Sequence, residues 1–154
     1  MDRLIFPYDL YPTLQRRPTA EGYTLRARYE DQHREPKVYD VVGVKRRLSY
    51  GETLNHGVYH VVLTDGSSNG QAVDMVCKIA YQRHDVTRLR AEAITYTQEL
   101  RHLYGRQVPI CYGFFIGQTG DGLTAILLLE YCGPLLQVPL WKQPVDFRYV
   151  WHGV

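Results

Sequence analysis

Long hydrophobic runs are missing from this chain. The longest, Leu123–Leu129, is interrupted by Thr124 and is far short of the ~20 apolar residues a spanning helix needs. The opening residues, Met1-Asp2-Arg3-Leu4-Ile5-Phe6-Pro7-Tyr8, hold no apolar run of signal-peptide length. Cysteine is scarce: Cys77, Cys111 and Cys132 are an odd number without tight spacing, which argues against a disulfide framework and a zinc site. Each lies in an apolar, strand-like run, so all three read as buried free thiols in a reducing compartment. Charge of one sign is also lacking. Eighteen Lys and Arg face 16 Asp and Glu, for a net +2, so nothing demands a nucleic-acid or membrane partner. The basic clusters Arg16-Arg17 and Lys45-Arg46-Arg47 read as solvated loop and strand-end charge. The six histidines show no ligand spacing, and Ser49, Ser67 and Ser68 read as loop residues rather than as a strand-to-helix nucleophile. These absences imply a soluble intracellular protein, in the cytoplasm, without a metal site.

What is present is ordinary globular composition. Of 154 residues 45% are hydrophobic and 22% charged, enough for one domain with a moderate core. Residues 1–38 read as an N-terminal extension. Leu4–Pro12 is aromatic and punctuated by prolines, hence extended or irregular, and Tyr23–Tyr29 alternates as an extra strand would. Alternation then predicts strands over Tyr39–Leu48, Gly57–Leu63 and Ala72–Ala80, with a Gly/Ser/Asn/Asp turn at Thr64–Gly70. Val86, Leu89, Ala93, Tyr96, Leu100 and Leu103 recur at steps of three or four, the stripe of one helix. Asp85 is its candidate N-cap and Gly105 its stop. Two more strands follow, Val108–Gly117 and Leu123–Tyr131.

Lys78 stands in the middle of the third of these strands, with Val76 and Ala80 on its own face. A lysine on an apolar sheet face is costly unless paired. Glu92, three residues after Leu89 and four before Tyr96, sits on the inward edge of the helix and is its natural partner. The blander alternatives are a snorkelling edge lysine and a surface Glu92 paired with Arg88.

Met75-Val76-Cys77-Lys78, Arg90–Leu100, Val108–Gly113 and Leu127-Leu-Leu-Glu-Tyr-Cys-Gly-Pro134, in that order, resemble the small N-terminal lobe of protein kinases, in particular kinase-like proteins of fungi. The resemblance covers 39–134. It implies an α+β fold: a five-stranded antiparallel sheet with one main helix, preceded by the 1–38 extension and followed by an aromatic tail, 135–154. It implies a vestigial nucleotide site of Lys78, Glu92, Gly57, Val58, Leu129 at the gatekeeper place, Glu130 and Cys132. Val76 replaces the family's alanine and adds bulk there. Of the glycine-rich loop only Gly57 stands in place, with Glu52 and Leu54 where glycines would approach phosphates. The catalytic loop and Asp-Phe-Gly are missing; His33-Arg34-Glu35 precedes the lysine strand, in the wrong order. The chain ends at Val154, where a kinase would begin its catalytic lobe.

The expectation is therefore a non-catalytic, truncated kinase-like small lobe, acting as a protein-interaction or regulatory module. It needs no cofactor, with weak ATP binding allowed, and its partner is a protein or a second copy of itself. The rivals are a nucleotide-binding fragment of a split kinase and an unrelated β-rich small-molecule-binding domain. The tail carries Trp141, Phe147, Tyr149 and Trp151 between prolines. Burying each aromatic contributes roughly 2–3 kcal/mol, so the tail is expected to fold back over the domain or else to dock on a partner, with Trp141, Phe147 and Trp151 the candidate partner-binding residues.

Overall fold

The computed structural model describes residues 3–6, 23–27, 37–48, 56–64, 71–119 and 122–133. The elements are β1 (Arg3–Phe6), β2 (Tyr23–Ala27), β3 (Val38–Arg47), β4 (His56–Thr64), β5 (Ala72–Ala80), α1 (Arg83–Ile94), β6 (Cys111–Thr119) and β7 (Gly122–Glu130). The strands close into a barrel in the order β1-β2-β6-β7-β5-β4-β3.

This overturns the five-stranded antiparallel sheet of kinase small-lobe type. Among the described residues the barrel has seven strands, and it is mixed, because β1 runs parallel to β3 with Arg3 opposite Val38 and Ile5 opposite Asp40. On its other side β1 pairs antiparallel with β2, and β2 closes the ring on β6 through Arg26 opposite Ile116 and Ala27 opposite Phe115. The 1–38 segment thus contributes two staves of the barrel. The reason is the cost of open edges: an unpaired strand edge leaves backbone N–H and C=O groups without partners, and closure satisfies them.

Two apolar clusters sort the side chains by strand parity. The interior holds Leu4, Val41, Val61, Cys77, Phe115 and Leu128, all fully buried. The outer face of β5, β6 and β7 holds Ala80, Phe114, Ala125 and Leu127, covered by Leu89 and Ala93 of α1. On β5 this puts Met75, Cys77 and Ile79 inside, leaving Val76, Lys78 and Ala80 on the helix side. β7 is buried on both faces from Thr124 to Leu129, which is why its sequence is a continuous apolar run rather than an alternation.

Helix α1 starts at Arg83, so Asp85 is a first-turn residue rather than the cap. A carboxylate there still meets the positive end of the helix dipole. Val86, Leu89 and Ala93 are its buried stripe. The helix does not run on regularly to Leu103. Thr95–Glu99 widens into a π turn and Arg101–Leu103 tightens into a 3-10 turn. Thr97 Oγ1 donates to the Ala93 carbonyl at 2.8 Å, a side-chain competitor for helical backbone groups. Gly105, at φ 68°, ends the segment in the left-handed region a glycine tolerates. Among the described residues no helix is long and apolar enough to cross a membrane.

The three thiols differ from the expectation of uniform burial. Cys77 is buried in the barrel, Cys111 is partly buried at the start of β6, and Cys132 is exposed just beyond β7. All three are free.

Candidate functional site

The site lies on the outer face of the barrel, where α1 meets β5. Lys78 Nζ donates to Glu92 Oε1. The backbone arranges this from both sides. Strand parity turns Lys78 outward between Val58 of β4 and Leu127 of β7, its neighbours in register. On the helix, Glu92 directly precedes the buried Ala93 and so reaches the same gap. The pair is not sealed: the two side chains keep 31% and 35% of their exposure.

Two clefts meet at this ion pair and share Val58 and Lys78. One, of about 330 Å³, is walled by Leu48, Val58, Val76, Tyr96, Leu129 and Tyr131. Its rim is Pro109 and the Glu130–Gly133 segment. The other, of about 290 Å³, is charged, and runs from Gly57 past Lys78 to Asp85, Arg88 and Glu92. An apolar slot opening onto a charged cleft suits a ligand with a flat apolar body and a polar end.

Every sequence-derived nucleotide-site residue lines one of these clefts. Lys78, Val58, Leu129, Glu130 and Cys132 border the apolar one, and Gly57 and Glu92 the charged one. Several have structural duties as well. Glu130 Oε2 accepts from the Ile110 N–H at 3.0 Å, while the Glu130 N–H donates to the Ile110 carbonyl at 2.9 Å. Its carboxylate thus ties the end of β7 to the segment before β6. A Cβ at Gly57 would stand 2.5 Å from Cε2 of Tyr59, so a larger residue there has to displace the Tyr59 ring, with or without a phosphate. The Cys132 thiol is pushed up by partial burial and then by the Glu130 charge, which disfavours the reactive thiolate. Glu52, Leu54 and the tail residues Trp141, Phe147 and Trp151 lie outside the described residues.

Sequence reasoning missed several cleft residues as such, among them Tyr96, Tyr131, Asp85 and Arg88. Tyr96 was legible as one helical turn beyond Glu92, but its stripe position suggested core. Burial, then the nearby Glu92 carboxylate, pushes its hydroxyl up from the ordinary tyrosine value, so it stays protonated. Tyr104 backs this wall, its hydroxyl donating to the Tyr96 carbonyl at 2.8 Å. Desolvation, then Cys111, pushes Tyr104 up to about 12.

Neither a family model nor a curated protein matches this chain. The site therefore has to be read from its own chemistry. Among the described residues no group of three His, Cys, Asp or Glu side chains is placed to hold a metal ion. What the arrangement can do is accept an apolar ring between Val58, Val76 and Leu129, and offer Lys78 and Arg88 to a negative group next to it.

Proposed function

We propose that this chain is a non-catalytic regulatory module that holds a nucleotide-class ligand in the Lys78 cleft and acts through a protein partner. The observation that carries the reading is the Lys78–Glu92 ion pair at the junction of an apolar slot and a charged cleft. A lysine held by a helix carboxylate is a positioned cation, and a positioned cation grips a phosphate without first paying for its own ordering. In this respect the site resembles that of the protein kinases. The slot beside it carries little polar surface of its own, which fits a purine-like ring better than a sugar or a peptide.

The non-catalytic part concerns these 154 residues by themselves: no His-Arg-Asp or Asp-Phe-Gly follows Lys78 within them, and phosphoryl transfer needs an aspartate to orient the acceptor and another to hold magnesium. The small-molecule rival, in the form of a ligand inside the barrel, is disfavoured because Phe115, Ile126 and Leu128 fill the interior.

The test is thermal unfolding of the full chain with and without Mg-ATP. A ligand held only by the folded state stabilises it, by about 2.7 kcal/mol at a hundredfold excess over Kd. The melting temperature should rise for the wild type and not for Lys78→Met. Equal behaviour of the two proteins, with or without a rise, would remove Lys78 from the site.

A further inference from the structure

Tyr131 is held from behind by a relay of side chains that comes from three strands and is not itself among the residues lining the two clefts. Its ring stacks on the imidazole of His60, with centroids 3.9 Å apart and planes 12° from parallel. His60 is nearly inaccessible, at 6% exposure. Its Nε2 lies 3.0 Å from Asp74 Oδ1. Asp74 Oδ1 in turn accepts from Lys45 Nζ at 2.6 Å. Arg46 Nη2 donates to the Tyr131 hydroxyl at 3.4 Å. The residues come from β3 (Lys45, Arg46), β4 (His60), β5 (Asp74) and the exit of β7 (Tyr131).

Two features make this more than a surface network. The first is placement. His60 is in register with Val76, and Val76 with Leu129. Val76 and Leu129 are walls of the apolar cleft, as Tyr131 is, so the relay sits in the next position along the same row. The second is directionality. Hydrogen bonds from Lys45 and then His60 hold the Asp74 carboxyl below its ordinary value. An ionised carboxylate only accepts, so His60 carries its proton on Nε2, and the ring plane is fixed by that bond. A buried ring with a fixed plane then fixes the plane of the ring stacked on it.

We propose that Tyr131 is the specificity-determining wall of the apolar cleft, and that His60 and Asp74 are positioning residues that lock its ring for a flat heteroaromatic ligand. This rests on the reading of the cleft as a ligand site. One face of Tyr131 is occupied by His60, and the remaining ring surface is presented to the cleft at a set angle. A flat ring in the slot meets a rigid surface and loses no affinity to ordering it. The barrel's exterior row, rather than its core, thereby tunes the site.

The experiment uses the full chain, a fluorescent adenine nucleotide as probe, and proteins with 13C-labelled tyrosine rings. Four proteins are compared: wild type, His60→Ala, His60→Phe and Asp74→Asn. His60→Phe keeps a ring to stack on and loses the bond to Asp74, and it guards against a His60→Ala that fails to fold. Without ligand, the Tyr131 ring signals, assigned with Tyr131→Phe, should move in His60→Ala and Asp74→Asn, because the ring current and the orientation change. With the probe, His60→Ala should bind about five- to tenfold more weakly and Asp74→Asn about threefold, with His60→Phe between wild type and His60→Ala. Tyr131 signals that stay put in folded His60→Phe and Asp74→Asn overturn the positioning role. Unchanged affinity in those variants overturns the specificity role. A wild type that does not bind the probe at all overturns the ligand reading and the specificity role with it, while the ligand-free signals still decide whether His60 and Asp74 position Tyr131.

Discussion

Removing the carboxylate that holds Lys78 is the sharpest perturbation available. In Glu92→Gln the helix keeps its shape and length, and Lys78 loses its charged partner at the junction of the two clefts. A fully buried pair broken on one side costs about 3–5 kcal/mol, whereas an exposed pair contributes about 0–1 kcal/mol. This pair retains about a third of its exposure on each side chain, so water can solvate the orphaned ammonium in part. The expected destabilisation is therefore about 1–2 kcal/mol, between the two limits. For a chain of this size that corresponds to a fall in Tm of about 3–7 °C. The assay is urea unfolding of wild type, Glu92→Gln, Lys78→Met and the double variant, as a cycle. The coupling energy should be about 1 kcal/mol and should shrink at 1 M NaCl, where charges are screened beyond ~3 Å. A coupling below about 0.3 kcal/mol, the ordinary scatter of additivity, would refute the reasoning. The pair would then be two neighbours that solvent keeps apart.

Other outcomes follow from the same geometry. Gly57→Ala should cost about 1–3 kcal/mol in urea unfolding, because the new methyl meets the Tyr59 ring and must displace it; an unchanged midpoint would show that the ring moves freely. Leu128→Ala, at a fully buried interior position, should cost about 2–5 kcal/mol by the same measurement. Asp74 titrates below its ordinary 3.8 in the folded state, so its contribution to stability is complete above that pH and is lost as the pH falls below it; Asp74→Asn should flatten the acid limb of a Tm–pH profile. Tyr104 is raised from 10.0 to about 12, so its contribution is complete below pH 10 and is lost as the pH rises towards 12. Tyr104→Phe should remove that alkaline slope and cost about 1 kcal/mol at neutral pH through the lost bond to Tyr96.

Local periodicity, read from the sequence alone, determined both ends of the central contact. Period-two alternation over Ala72–Ala80 says that Lys78 shares a face with Val76 and Ala80, and the 3.6-residue stripe of Val86, Leu89 and Ala93 puts Glu92 at its margin. The apolar run Leu123–Leu129 likewise marked a strand, and the structure shows it covered on both faces. These features are legible because each depends on neighbours a few residues away. Only the tertiary structure decided that the sheet closes. The alternation at Tyr23–Tyr29 marked an extra strand, found as β2 over Tyr23–Ala27, but the four residues of β1 carry too little alternation to be read, and the partners of both lie far along the chain, Arg3 opposite Val38 and Arg26 opposite Ile116. The same holds for the relay behind Tyr131. His60, Asp74, Lys45 and Tyr131 look like scattered polar residues in four different segments, and only the register of β3, β4 and β5 brings them together. A side chain's face is set by local geometry, but its partner across the sheet is set by pairings whose loop-closure entropy local sequence does not encode.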